Sequence, residues 1–353
     1  MNNKDITDWI NSGEELVIEP ASVPGRKPYE IITLSESPPT PTKWIIDEIL
    51  PEESCLVMGA EEKTGKTWLL LYLAICVASG KKVFDTWQPR KKGNIVIYTP
   101  ESGWNAKKQR LWGLCWGMGL DPARALKSLH FIKGSIDLGD QKLLEHFVND
   151  VKKISPVLTI FDPLICLHSG LDENSSGEMQ GLLNSIRGIS QCVDGMSVIV
   201  THHLNKGNSS KSSFHGLRGS SAIGAWADGR ISLSRDRENS SIRKVDIEHR
   251  DAPSPRPVGF SITCMKNYES ELYEFKLNPC EINNPNLDQK ILGRIEKMIE
   301  KNNGMTRYEG ASAMNMARSK FNRYFNALMD QKKVRLDAFD KMFLVRENEK
   351  MEI

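Results

Sequence analysis

The residues with the clearest chemical potential are Gly65, Lys66 and Thr67, which end the segment MGAEEKTGKT at residues 58–67. In the pattern G-x-x-x-x-G-K-[ST], glycine lets backbone N–H groups approach phosphates, lysine reaches the β- and γ-phosphates, and the hydroxyl binds Mg²⁺. The first glycine of that pattern is replaced here by Ala60. The triplet therefore predicts a phosphate-binding loop with one unusual position.

The surroundings of the triplet favour a real phosphate loop over a chance match in a surface turn. The apolar run SCLVMG precedes it and the apolar run TWLLLYLAICVAS follows, as expected for a strand and a helix. Ala60 keeps a small side chain, and Glu61 and Glu62 can point away from the phosphates because only their backbone is needed. The predicted nucleotide-binding residues are Ala60, Glu61, Glu62, Lys63, Thr64, Gly65, Lys66, Thr67 and Trp68.

Two acidic residues follow other buried strands. Asp162 ends the run VLTIFD and is predicted, with Thr67, to hold Mg²⁺; Glu101 follows NIVIYTP and is predicted to orient the attacking water. Ligands bind beyond the carboxyl ends of parallel strands, so these side chains should meet at one edge of the sheet. The alternatives are an aspartate that merely ends a strand and a surface glutamate that begins a helix.

A third strand, SVIVTHH, ends in His202 and His203. Imidazoles at the same edge could donate to the γ-phosphate and report its loss to the loop that follows. A zinc site is the alternative, but no third ligand stands nearby at a useful spacing.

Composition limits the classes of protein that the chain can belong to. Its 353 residues suggest two domains, and 47 Lys+Arg against 45 Asp+Glu give no global basic field for nucleic acid. The seven scattered cysteines predict reduced, mostly buried thiols of a cytoplasmic protein. The longest apolar run is too short for a membrane span, and the amino terminus does not resemble a signal peptide.

The order of apolar runs predicts an α/β fold in three parts. Residues 1–42 form an arm and a Pro-rich linker, residues 43–282 a phosphate-loop core, and residues 288–353 a small second domain. In the core, continuous apolar strands alternate with amphipathic helices, which is typical of a mostly parallel sheet buried on both faces. After residue 228 only strands follow, which indicates antiparallel strands that extend one side of the sheet.

The combined motifs resemble a known family. The lead-in WIIDEILP, the phosphate loop, IYTPESG, FDPL, THHLNKG and LRGSSAI look like the RecA-fold ATPases of the RepA and AAA_25 type. That family includes hexameric replicative helicases of plasmids, with relatives in phages and mobile elements. The resemblance covers residues from about 40 to 245 and implies a RecA-like core.

The resemblance also implies roles for individual residues. Lys66 and Thr67 would bind ATP and Mg²⁺, Glu101 would be the catalytic carboxylate, and His203 would be the sensor. An arginine from a neighbouring subunit completes the site in that family. Arg230 is the candidate here and Arg218 its substitute, although either could be an ordinary surface residue.

Two further segments are candidates for DNA contact. The loop after His203 offers Lys206 and Lys211 for phosphates and Phe214 for base stacking, or it is a surface loop without a partner. Residues 306–335 carry seven Lys/Arg against two acids, in a pattern like a winged helix-turn-helix. Arg318, Lys320 and Arg323 would lie on its second helix and could meet duplex DNA, although such modules also dock proteins.

These observations favour a cytoplasmic, Mg²⁺-dependent ATPase that moves on single-stranded DNA as a helicase of a mobile element. The resemblance implies that it forms a homo-oligomer, a hexameric ring. One alternative is a recombination or loading ATPase that does not unwind DNA. Another is a regulator whose second domain binds DNA while ATP sets its assembly. Nothing in the sequence indicates a membrane partner.

Overall fold

A computed structural model of the protein describes eight stretches of the chain: residues 40–170, 175–203, 221–236, 239–266, 271–280, 289–330, 333–337 and 340–345. The predicted arm at residues 1–42 lies almost wholly outside them. The chain divides into two compact units, Met1–Ile282 and Asn283–Ile353. None of the helices in the described stretches has both the length and the apolar character needed to cross a bilayer.

The first unit is built on one large sheet, preceded by a hairpin of β1 (Trp44–Ile46) and β2 (Leu50–Pro51). The strands of the large sheet are β3 (Cys55–Ala60), β4 (Asn94–Tyr98), β5 (Leu129–Phe131), β6 (Pro156–Phe161), β7 (Ser197–His203), β8 (Gly229–Arg235), β9 (Ile242–His249), β10 (Val258–Lys266) and β11 (Tyr273–Cys280). They lie in the order β11-β10-β9-β8-β3-β7-β6-β4-β5.

Helices cover both faces of this sheet. They are α1 (Lys66–Ser79), α2 (Trp104–Gly117), α3 (Pro122–Ala125), α4 (Gln141–Ile154), α5 (Ser176–Ser190) and α6 (Ser221–Trp226). One apolar cluster joins α1 and α2 to one face, and a second joins α4 and α5 to the other. Every residue of β3 and of β6 is buried, as their continuous apolar runs predict. The predicted α/β class with a mostly parallel, RecA-like sheet is therefore confirmed.

The direction of one strand differs from the prediction. We expected all strands after residue 228 to be antiparallel, but β8 pairs with β3 in parallel, and only β9, β10 and β11 alternate in direction. The connection from β7 contains the short helix α6, which lies before residue 228 and was not predicted. A crossover of this kind brings β8 back in the same direction as β3.

Strands β8 to β11 form a wall beside α1, and β11 reaches α2. Contact with α2 requires two glycines: a Cβ atom on Gly113 would collide with the carbonyl oxygen of Tyr273 and the ring of Phe275, and one on Gly117 with the carbonyl of Phe275. Helix α2 begins just after Glu101, the predicted catalytic carboxylate. The contact between β11 and α2 therefore holds the wall of strands next to the segment that carries Glu101.

The second unit contains three helices and a two-stranded hairpin: α7 (Gln289–Lys301), α8 (Arg307–Ala313), α9 (Arg318–Asp330), β12 (Val334–Leu336) and β13 (Met342–Leu344). Thr306 and Glu309 form a reciprocal capping box that fixes the start of α8. Phe321 and Phe325 of α9 are fully buried in a small core with side chains of α7. This unit thus has an apolar core of its own.

All seven cysteines are free. Cys55, Cys76 and Cys115 are buried, three others are half-buried, and Cys264 is exposed. Burial raises the pKa of Cys55 to about 11, which keeps that thiol protonated at neutral pH. The expectation of mostly buried thiols therefore holds for the three innermost cysteines only.

Candidate functional site

The backbone of the loop between β3 and α1 has the conformation that its glycine and lysine predict. Gly65 adopts φ 105° and immediately precedes α1, and Lys63 also has a positive φ, 57°. The Thr64 hydroxyl donates to the carbonyl of Glu61 at 2.8 Å and braces the turn from inside. The loop therefore ends at a helix amino terminus, whose N–H groups and dipole favour an anion.

Asp162 stands next to this helix terminus. It is 3% exposed and follows β6, the second neighbour of β3 in the sheet. Its Oδ2 accepts a hydrogen bond from Thr67 at 2.7 Å, and its Oδ1 accepts one from Thr201 of β7 at 2.6 Å. The carboxylate is thus fixed by hydroxyls from the phosphate loop and from the intervening strand.

A buried carboxylate beside a hydroxyl is a donor set that suits Mg²⁺, which binds oxygen ligands and usually takes the rest from water and substrate phosphates. Thr67 and Asp162 are the residues that would hold the ion. The ion would neutralise charge on the phosphates. No cluster of three or more His, Cys, Asp or Glu suited to a metal occurs among the described residues.

Lys66 is nearly buried at the start of α1, with 9% of its surface exposed. Burial lowers the pKa of its ammonium, while the carboxylates of Asp162, Glu101 and Glu62 oppose that shift. The lysine is therefore surrounded by the two acids that the sequence predicts, and by a third from the loop itself. A cation in such surroundings is well placed to meet phosphate.

Glu101 and the loop share one cleft of about 730 Å³. Glu101 is exposed and follows β4, so it lies at the same edge of the sheet as the loop, where the carboxyl ends of the parallel strands meet. The lining residues are Glu62, Lys63, Gly65, Lys66, Thr67, Trp68, Thr99, Glu101, Ser102, Arg110, Arg243, Ile262, Cys264 and Phe275.

The two glutamates of the loop are not equivalent. Both are exposed, but Glu62 lines the cleft and influences Lys66, whereas Glu61 is outside the cleft. Glu62 therefore forms part of the wall of the cleft, although only its backbone was expected to serve phosphate binding. Of the three carboxylates that raise the pKa of Lys66, that of Glu62 has the smallest effect.

An aromatic wall closes one side of the cleft. The ring of Trp68 packs on Phe275 of β11 at 4.5 Å between centroids, and the guanidinium of Arg110 lies 5.4 Å from the centre of Trp68. Ile262 of β10 continues the wall toward Gly65. Flat aromatic and cationic surfaces of this kind can stack on a heterocyclic base.

Arg230 lies near the amino end of β8, opposite Val57 of β3, whereas the phosphate loop follows the carboxyl end of β3. Its guanidinium donates to the carbonyl of Gly224 at 2.7 Å. The structure thus keeps Arg230 away from the loop of its own chain. A role at a neighbouring subunit stays a prediction.

Several predicted residues fall outside the described part of the chain. For His203 only the backbone is described, and it pairs with Ala60 at the end of β3. Lys206, Lys211, Phe214 and Arg218 lie between residues 204 and 220, which are not described. The side chains of Lys320 and Arg323 are likewise not described. Their predicted roles remain predictions.

In the second unit, α8 and α9 are joined by a four-residue turn and followed by the β12–β13 hairpin. Arg318 is exposed at the start of α9, 5.9 Å from the ring of Tyr308. Arg307 pairs with Asp340, and Lys333 pairs with Glu296 at 2.7 Å. Ion pairs therefore neutralise two of the basic residues counted between 306 and 335.

Sequence reasoning missed several residues of the site. Thr201 precedes the histidine pair by one position and could have been found, because alternation along a buried strand places it on the same face as His203. Arg110, Arg243, Ile262 and Phe275 carry no motif. Arg243, Ile262 and Phe275 enter the cleft because β9 to β11 fold over the phosphate loop, and Arg110 enters it from α2.

Comparisons with known proteins show the family of the chain. The AAA_25 family, described as an AAA domain, matches residues 24–209, more than half of the chain. No curated protein matches. The crystal structure of the RadB recombinase is similar at 19% identity, covering 63% of this chain and 90% of that chain with a TM-score of 0.43. The extent of the family match, together with a phosphate loop facing Asp162 and Glu101, identifies the chain as a P-loop NTPase that belongs to the AAA_25 family.

Proposed function

We propose that this protein is a Mg²⁺-dependent ATPase that assembles into a hexameric ring in the manner of RepA-type enzymes and moves on single-stranded DNA. In this proposal it serves as a replicative helicase of a plasmid, phage or integrated element. The observation that carries the ATPase part is the contact of Asp162 with Thr67 beside the buried Lys66.

In this proposal each group of the cleft has a task. Backbone N–H groups of residues 61–67 and the ammonium of Lys66 bind the β- and γ-phosphates, where preorganised positive charge stabilises the charge that develops. The Asp162 carboxylate, held by Thr67 and Thr201, keeps its orientation because both oxygens are already bonded. Glu101, on the opposite side of the cleft, orients water for attack on the γ-phosphorus.

The helicase part rests on the order of motifs and on one structural relationship. His203, the last residue of β7, pairs with Ala60, the last residue before the phosphate loop. A change at the γ-phosphate therefore has a short path into residues 204–220, where Lys206, Lys211 and Phe214 would contact DNA. Arg230 or Arg218 of a neighbouring subunit would complete the site.

The test compares ATP hydrolysis with and without single-stranded DNA, together with the molecular mass with and without ATP. The proposal expects hydrolysis stimulated by single strands, ring-sized particles and strand displacement that Lys66→Ala abolishes. DNA-stimulated hydrolysis without displacement would instead support a recombination or loading ATPase. Hydrolysis indifferent to DNA, with sequence-specific duplex binding, would support a regulator.

One observation favours a duplex-binding role for the second unit beside the ATPase. Helices α8 and α9 with the following hairpin have the order of a winged helix-turn-helix, and Arg318 is exposed at the start of the second helix. In this proposal Arg318, Lys320 and Arg323 contact phosphates of duplex DNA and bring the ATPase to its site of action.

A further inference from the structure

We infer that Arg243 contacts the phosphate groups of the nucleotide bound to the same subunit. The inference rests on the proposed ATP binding at Gly65, Lys66 and Thr67, and it adds to that site a cation that no motif indicates. It makes Arg243 a cis-acting residue, distinct from an arginine supplied by a neighbouring subunit.

The sheet register directs Arg243 toward the phosphate loop. On β9 it lies opposite Arg235 of β8 and Phe260 of β10. Side chains alternate along a strand, so Phe260 and Ile262 of β10 share one face with Arg243. Phe260 is fully buried in the cluster that contains α1, so this face is the one that covers α1 and the loop before it.

Distances within the cleft bring the guanidinium to the loop. Its Nε donates to the carbonyl of Thr64 at 3.4 Å and lies 4.0 Å from the position that a Cβ atom on Gly65 would occupy. Ile262 Cδ1 is 3.6 Å from that same position. Arg243 therefore lies beside the glycine whose missing side chain allows phosphates to approach, in the cleft that Lys66 and Glu101 also line.

The electrostatic setting favours an anion at this point. Arg243 is half-buried, and burial followed by the nearby charge of Arg235 lowers its pKa. It donates hydrogen bonds to the backbone carbonyls of Thr64 and Ser241, which carry no net charge. The phosphates of a bound nucleotide would place negative charge beside these two adjacent guanidiniums, in a site partly shielded from water.

Arg235 provides an internal comparison. It also bonds the loop, donating to the carbonyl of Lys63 at 2.7 Å, but it is exposed and does not line the cleft. If arginines from this hairpin only brace the loop, the two residues should be interchangeable in their effects. If Arg243 contacts phosphate, only Arg243 should matter strongly for nucleotide binding.

The experiment titrates fluorescent ATP into wild type, Arg243→Ala, Arg243→Lys and Arg235→Ala, with thermal unfolding of each nucleotide-free protein. Loss of a charged hydrogen bond predicts weaker binding by about 10- to 100-fold for Arg243→Ala. Arg243→Lys should recover much of that loss, and Arg235→Ala should stay within about twofold of wild type. Equal losses for the two alanine variants would overturn the inference. If Arg243→Ala unfolds too readily, Arg243→Gln against Arg243→Lys makes the same comparison of charge.

Mixing subunits tests whether Arg243 acts in cis. Lys66→Ala subunits with Arg243→Ala subunits should recover no hydrolysis, since every site would lack one of the two residues. Recovery would mean that Arg243 serves a neighbour, and would overturn the cis assignment. If wild type and Lys66→Ala bound nucleotide equally well, the result would instead contradict the proposed function itself. If Arg243→Ala bound ATP normally while Lys66→Ala bound none, the result would contradict only the inferred contact of Arg243 with the phosphates.

Discussion

The Thr67 hydroxyl donates to Asp162 Oδ2 at 2.7 Å, linking the first turn of α1 to the residue that follows β6. The two residues are far apart in sequence, and the sheet brings them together because β7 alone separates β3 from β6. Thr201 of β7 binds the other carboxylate oxygen. A single buried acid thus connects three adjacent strands at the predicted nucleotide site.

Asp162→Asn should impair hydrolysis through the metal. The amide keeps the shape of the side chain but loses the negative charge that would hold Mg²⁺ near the phosphates, so we expect kcat to fall by about 10²–10³-fold. When hydrolysis is measured over a range of Mg²⁺ concentrations, the variant should need a higher Mg²⁺ concentration than wild type to reach half of its maximal rate. Asp85→Asn changes an exposed aspartate and should leave both quantities unaltered. An unchanged Mg²⁺ dependence in Asp162→Asn would argue against the metal role.

Gly113→Ala should destabilise the first unit. The added methyl group would collide with the carbonyl of Tyr273 and the ring of Phe275, pushing β11 away from α2 at a cost of about 1–3 kcal/mol. Gly181→Ala is the matched control in helix α5, because nothing lies within 4 Å of its added methyl. That control should gain about 0.5–1 kcal/mol from helix propensity. Urea denaturation measures both, and a stabilised Gly113→Ala would contradict the packing described for β11.

Asp246→Asn should change how stability varies with pH. Burial raises the pKa of Asp246 above its usual 3.8, so the native state holds this proton more tightly than the unfolded chain. The contribution is favourable below pH 3.8 and is lost as pH rises through the native pKa. The asparagine of the variant does not titrate, so the variant does not lose this stability as pH rises. The unfolding midpoint of the variant minus that of wild type should therefore increase from pH 3 to pH 7. Exposed Asp251→Asn should follow wild type, and a parallel course for Asp246→Asn would refute the prediction.

Arg318→Ala tests the proposed DNA contact of the second unit. Loss of one phosphate contact should weaken duplex binding at all sequences and reduce the slope of log K against log salt by about 1. Arg294→Ala, an exposed arginine on α7, removes the same charge from another helix. Binding isotherms at several salt concentrations distinguish the two variants. Equal slopes of log K against log salt for both variants would indicate a general effect of net charge and would contradict a specific phosphate contact by Arg318.

The predictable part of the site lies at strand ends. Lys66, Glu101 and Asp162 follow apolar runs that are buried on both faces, so local sequence fixes which strands carry them and parallel pairing brings their ends together. Long-range packing decides the rest. Arg243 and Phe275 reach the cleft because β9 to β11 fold across α1, and no local pattern specifies that path.

The direction of β8 illustrates the same limit. Its alternating polar and apolar residues suit either direction of pairing, and the short helix α6 that sets the crossover has only six residues. Arg230, which is predicted to complete the site of a neighbouring subunit, occupies the amino end of that strand. Its distance from the loop of its own chain followed from the strand direction, which the sequence pattern left open.

ATP turnover by wild type, Lys66→Ala and Glu101→Gln is the measurement that tests the central claim most directly. We expect Glu101→Gln to bind ATP normally while kcat falls by about 10²–10⁴-fold, because the group that orients water is lost but the phosphate loop is intact. Lys66→Ala should lose both binding and hydrolysis. Exposed Glu61→Gln, outside the cleft, should match wild type. Full turnover by Glu101→Gln, or ATP binding that survives in Lys66→Ala, would contradict the assignment of this cleft as an ATPase site.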